Sequence, residues 1–129
     1  MRYFNIDTWS AWKELATMDK VLTKSVADVG VTTITPVNSN ITGIIEYEVK
    51  NGICYVSMKD LMSTMASTNL LISNAMPKPS INCTASSSSA SSSGNIATIY
   101  IDKNTTTLRG DFYVKNAKSN CSFSYPVAE

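Results

Sequence analysis

Residues 43–59 read GIIEYEVKNGICYVSMK, two alternating runs joined by Asn51-Gly52. An Asn-Gly pair between alternating apolar segments predicts a β-hairpin, because a two-residue type I′ turn needs φ > 0 at both central positions and these residues tolerate it. Such a turn sets Lys50 opposite Ile53, Val49 opposite Cys54, Tyr47 opposite Val56 and Ile45 opposite Met58. One face then carries Ile45, Tyr47, Val49, Cys54, Val56 and Met58, and the other Glu46, Glu48, Lys50, Ile53, Tyr55 and Ser57. That division is the pattern of a sheet with one dry side. Each fully buried aliphatic side chain contributes roughly 1.5–3 kcal/mol, so the dry set holds this register against any slip. A lone hairpin is unstable in water, and further strands must cover the dry face.

Strand signals recur on both sides of the hairpin. The β-branched run 29–35 ends at Pro36, which cannot donate to a ladder, and reads as a first strand. Residues 61–68, rich in Met and small side chains, read as loop or a single helical turn with Asp60 as its cap, and 69–73 as a short apolar strand. The two prolines of 76–80, MPKPS, hold an extended connection. The low-complexity run 84–94, TASSSSASSSG, reads as an exposed, flexible loop tip. Residues 96–102 and 106–114 flank Lys103, Asn104 and Thr105 as a second hairpin, its dry face formed by Ala97, Ile99 and Ile101 with Leu108, Gly110, Phe112 and Val114. A last alternating run, 120–125, turns Cys121, Phe123 and Tyr125 inward and ends at Pro126. Seven or so short strands with turns every 8 to 12 residues predict an all-β fold, an antiparallel β-sandwich of jelly-roll type, over residues 29–129.

The 129-residue chain is long enough for one such domain with its own core. Ahead of it, residues 1–28 hold Tyr3, Phe4, Trp9 and Trp12, followed by Leu15, Met18, Leu22 and Val29 at spacings of three, four and seven. A short parallel coiled coil that trimerises the chain, an amphipathic helix lying on its own domain, and an extended stalk or linker all accommodate that pattern.

Net charge is +1, and Asp, Glu, Lys and Arg make up 16% of the chain, which argues against a nucleic-acid surface or an acidic tail. Solvation falls instead to Ser, Thr and Asn, 43 residues of 129, a habit of β-rich extracellular or particle-surface proteins. The N-terminus has no apolar signal-peptide core, and apolar runs stay far below the 18 or so residues of a membrane span. Four N-x-S/T sequons, at Asn40, Asn82, Asn104 and Asn120, barely exceed the roughly three that this composition produces by chance. Three cysteines at wide spacing, Cys54, Cys83 and Cys121, fit neither a disulfide framework nor a metal knuckle, and read as free thiols, two of them buried.

Histidine is absent, which removes the usual general base, most zinc sites and every Ser-His or Cys-His nucleophile pair. Glu46 and Glu48 sit two residues apart on the wet hairpin face and read as a solvated strand rather than an acid/base pair. No phosphate-binding or EF-hand pattern occurs, and no cofactor or metal is expected. Arg109-Gly110-Asp111 spells an integrin-type tripeptide, but inside an alternating strand Gly110 faces inward and the two charges outward, where a cross-strand or same-face ion pair is expected.

The N-terminal residues Trp9, Ser10, Trp12, Lys13 and Leu15, in W-S-x-W-K-x-L, resemble the end of the pyocin-knob-type module of phage tail fibres. The rest of the chain, residues 29–129, is similar in order to the C-terminal head domains of phage tail fibres and receptor-binding proteins: a strand, an N-G hairpin, a proline segment (Ala75, Met76, Pro77, Lys78, Pro79), a variable loop, a second hairpin and an aromatic final strand. A complete knob is not present, so the chain resembles a distal piece of a longer fibre. The resemblance implies a homotrimeric, non-enzymatic head at the tip of a fibre from a phage or tail-like bacteriocin. Such a tip is carried on a virion or tail-like particle assembled in the bacterial cytoplasm, joins an upstream fibre or baseplate module, and binds a bacterial surface glycan or protein. The competing expectation is a monomeric carbohydrate-binding or adhesin module of a surface or secreted protein. Exposure alone nominates the receptor contacts: Tyr55 on the wet hairpin face, Lys78, and the loop from Asn82 to Asn95.

Overall fold

Positive φ at both Asn51 (53°) and Gly52 (79°) closes the central hairpin as a two-residue turn. The strands on either side, β2 (Ile41–Lys50) and β3 (Ile53–Ser63), pair as the alternation requires, Ile45 with Met58, Tyr47 with Val56 and Val49 with Cys54. The computed structural model describes residues 26–89 and 94–129, so residues 1–25 of the N-terminal stalk, with the knob-like segment, lie outside the described residues. Within them the chain is all strand and loop: β1 (Val29–Ile34), β2, β3, β4 (Leu70–Ser73), β5 (Cys83–Ser88), β6 (Asn95–Ile101), β7 (Leu108–Phe112) and β8 (Ser119–Pro126). Every pairing is antiparallel, in the order β1-β2-β3-β8-β5-β6-β7-β4. A backbone bond from Val37 N–H to Ile72 C=O (2.9 Å) links the loop after β1 to β4, so the two edges nearly meet and the sheet curls into a barrel-like sandwich.

The dry hairpin faces meet inside. Ile45, Cys54, Val56 and Met58 from the first, and Ala97, Ile99, Ile101, Leu108 and Phe112 from the second, share one core with Ile72, Met76, Cys121 and Tyr125. Tyr47 and Phe123 pack on its margin. Gly110 faces inward as expected, because a side chain there would meet Phe112 Cε1 at 2.9 Å and Ile99 Cδ1 at 3.1 Å. Val114, expected in that dry face, instead lies beyond the end of β7 and is exposed.

Two segments differ from their sequence reading. Residues 61–63 are not loop or helix but the end of β3, with Leu61 and Ser63 buried. The cause is a bulge: Asp60 adopts φ 56°, the pairing with β2 slips between Thr42 and Ile44, and the slip brings Leu61 inward out of strict alternation. The first half of the serine-rich run is likewise a strand, not a loop tip. β5 pairs with β6 from Cys83↔Ile101 to Ser88↔Asn95, since backbone ladders do not depend on bulky side chains. Its other edge touches β8 through a single pair, Ser88↔Asn120. At that seam Ser87 and Ser119 are buried with their hydroxyls 2.6 Å apart. Ser119 donates its hydrogen to Leu61 C=O (3.2 Å), so Ser87 is the donor between the two serines.

The proline connection is extended and well tied. Met76 N–H bonds Thr106 C=O, Ser80 N–H bonds Pro126 C=O, and Ala128 N–H bonds Lys78 C=O, while the Tyr125 hydroxyl reaches Pro77 C=O at 2.7 Å.

All three cysteines are free thiols, Cys54 and Cys121 buried and Cys83 partly so. Burial pushes the thiols of Cys54 and Cys83 up from their ordinary values and that of Cys121 up to about 11. The folded chain therefore holds protons that the unfolded chain releases near pH 8.5 to 9. This stabilisation is intact below about pH 9 and is lost as pH rises toward 11. The urea midpoint is expected to fall between pH 8 and pH 10.5, and to fall less in Cys121→Ala. Equal slopes for the two proteins would refute that origin.

Candidate functional site

Tyr55, Lys78, Asn82 and Asn95 do not converge. Tyr55 stands 48% exposed on the outer face of β3. Lys78 and Asn82 lie on the connection between β4 and β5, where Asn82 Oδ1 accepts from Lys103 N–H at 2.8 Å. Asn95 begins β6, at the other end of the β5–β6 hairpin from Asn82, so roughly 20 Å of strand separates them at 3.4 Å per residue. Two separate outer surfaces result.

The first surface belongs to β1, β2, β3 and β8. A shallow depression of about 180 Å³ is lined by Val31, Glu46, Glu48, Tyr55 and Ser57. A second, of about 410 Å³, opens beside the β3 bulge between Lys59 and Asn120. Val31 at 66% and Tyr55 at 48% give the first depression exposed apolar surface at the β1 edge. Among the described residues, no hydrogen bond holds the side chains of Glu46, Glu48, Tyr55 or Lys59 in place.

The second surface is the outer face of β6 and β7, and there the polar groups are fixed. Strand pairing sets Tyr100 opposite Arg109 and Thr98 opposite Asp111. Asn69, at φ 59° just ahead of β4, reaches the same place because β4 pairs with β7. Asp111 Oδ1 accepts from the backbone N–H of Asn69 (2.7 Å) and from the Tyr100 hydroxyl (3.2 Å). The Tyr100 hydroxyl also points at Asn69 Oδ1 (3.0 Å), and Arg109 Nη1 donates to Asn69 C=O at 3.5 Å. The two charges of the Arg-Gly-Asp tripeptide thus bracket the backbone of Asn69. The expected ion pair between them does not form among the described residues. One strand position along, Thr98 Oγ1 lies 2.9 Å from the Tyr113 hydroxyl and accepts from Asn95 Nδ2 at 2.9 Å. Burial and the neighbouring Asp111 carboxylate raise the Tyr100 phenol, which keeps its proton.

Of the nominated residues only Asn95 belongs to this network, and Asn82 precedes β5 at the far end of the hairpin. Tyr100, Asn69 and Tyr113 were not singled out by the sequence. The alternation of β6 and β7 already placed Tyr100, Arg109 and Asp111 outward, but only the β4–β7 pairing brings in Asn69, 42 residues from Asp111 along the chain.

No protein-family model matches the chain, and no curated protein matches it. A solved structure does. The head domain of phage bIL170, described in connection with a common fold for the receptor-binding domains of lactococcal phages, superposes with a TM-score of 0.54. The match covers 78% of this chain and 100% of that one. The fold is that of a phage head domain. At 16% identity the likeness is one of architecture, and it extends over the whole of the bIL170 head. Most of the described barrel-like sandwich therefore has a counterpart in that head-domain fold.

Proposed function

We propose that this chain is the receptor-binding tip of a fibre on a phage or phage-tail-like particle, and that it attaches the particle to a bacterial surface glycan or protein without catalysis. In this reading residues 29–129 are the head and residues 1–28 a stalk that joins it to an upstream fibre or baseplate module, with three copies side by side. The observation that carries the reading is the head-domain fold itself, matched over the full length of the bIL170 head. Two features of the chain agree with it. Its outer strands present tyrosine, amide and carboxylate groups, which suit recognition, and its sequence holds no histidine. The exposed valines of the β1 edge and Tyr55 offer a surface for a neighbouring copy.

The free protein is expected to block adsorption of the cognate particle to its host, and light scattering is expected to give three times the 14.0 kDa chain mass. Failure to block on any strain of a host panel would overturn the receptor reading. A concentration-independent monomer would overturn the trimer and favour a monomeric carbohydrate-binding or adhesin module.

A further inference from the structure

We infer that the outer face of β6 and β7, centred on Asp111, is a binding site for a neutral sugar, a pyranose unit of a surface polysaccharide. The inference rests on the receptor-binding reading above and assigns that function a place and a ligand class. Three properties separate this face from the one around Tyr55.

The first is preorganisation. Binding is weakened by every side chain that must be ordered when the ligand arrives. Asp111 is already held on Oδ1 by Asn69 N–H, and the single Tyr100 hydroxyl hydrogen is shared between that oxygen and Asn69 Oδ1. Its Oδ2 has no partner among the described residues and stands ready as an acceptor. Around Tyr55 no such bracing exists among the described residues.

The second is the mixture of donors and acceptors. A sugar hydroxyl both donates and accepts, so its site needs both kinds of group within one ring's width. Arg109 spends one guanidinium N–H on the long 3.5 Å bond to Asn69 C=O and keeps its other donors. Paired across the strands from Tyr100, it sits next to the Asp111 acceptor on the same face. The two charges cancel locally, which disfavours an anionic ligand and leaves a neutral polyol as the best match.

The third is shape. Tyr100 and Tyr113 supply planar apolar surface for the C–H face of a pyranose ring, and Tyr113 is 52% exposed. Beside them β5 turns out only Thr84, Ser86 and Ser88, paired with or next to Tyr100, Thr98 and Asn95. The short hydroxyl side chains leave the flank of the tyrosines uncovered, which admits a unit within a polysaccharide chain rather than a free small molecule alone.

Saturation-transfer NMR on the full chain with a panel of neutral methyl pyranosides tests this, with inorganic phosphate and glycerol phosphate as anionic probes. At least one neutral pyranoside is expected to bind. Asp111→Asn, which keeps an oxygen for Asn69 N–H, is expected to weaken that binding at least tenfold, and Tyr100→Phe several-fold. Lys50→Ala, on the opposite sheet, is expected to bind as the parent does, and unchanged urea midpoints would show that the variants fold. Binding of no neutral pyranoside, binding of the anions alone, or an Asp111→Asn protein that binds like the parent would each overturn the site. The adsorption assay separates the two readings. If the parent and Asp111→Asn block adsorption equally, the sugar site fails and the receptor reading stands, as for a protein receptor held elsewhere. If the parent does not block, the receptor reading fails while the NMR result still judges the site.

Discussion

Tyr125→Ala is expected to destabilise the protein by about 3–5 kcal/mol, the range for removing a large buried aromatic side chain. Tyr125 is 2% exposed and sits opposite Cys54, at the Asn51-Gly52 end of the core. Phe123 stacks against it with ring centroids 6.3 Å apart. Alanine would leave a cavity there and also free Pro77 C=O, which the phenol hydroxyl bonds at 2.7 Å. Tyr125→Phe divides the effect, since it keeps the ring and removes only the hydroxyl, with its bond to Pro77 C=O and its contact with the Cys54 thiol, at a cost of about 1–2 kcal/mol. Urea unfolding followed by fluorescence measures both variants. A phenylalanine variant as stable as the parent would mean that Pro77 C=O finds another donor, and that the proline segment is held without Tyr125.

Gly43→Ala comes next, with an expected loss of about 3 kcal/mol from backbone strain and overpacking together. Gly43 lies at φ 140°, a conformation that side chains rarely adopt, and an added Cβ would meet Leu61 Cα at 2.9 Å and Asp60 C=O at 3.0 Å. Those neighbours are backbone, so no side chain can swing away. The glycine permits the β3 bulge to press against β2, and the bulge in turn carries Leu61 into the core. The same urea measurement checks it, and a loss under 1 kcal/mol would show that the bulge is free to shift.

These two residues mark where the sequence could and could not be read. The hairpin around Asn51-Gly52 and its partner around Lys103, Asn104 and Thr105 were legible because turn chemistry and alternation are local, and both act within about a dozen residues. The continuation of β3 past Asp60 was hidden, because a bulge breaks the period of two on which the alternation argument depends. β5 was hidden for a different reason. Serine-rich composition describes side chains, whereas this strand is held by backbone pairing with β6 and by one buried hydroxyl pair. The polar network on β6 and β7 was half visible. Its outward Arg109 and Asp111 came from strand phase, but their shared partner, the backbone of Asn69, comes from the β4–β7 pairing, which no periodicity announces.

The serine-rich β5 also bears on how such a protein can change over generations. Thr84, Ser86 and Ser88 point to solvent, while Ala85 packs against the core and Ser87 carries the buried hydroxyl contact. Substitutions at outward positions of this kind usually shift stability by no more than about 0.5 kcal/mol. This row of hydroxyls can therefore be rewritten, one at a time, without disturbing the core that holds it. If that face meets the host, shifts in host range should accumulate on these three positions, and Ser87 between them should stay fixed.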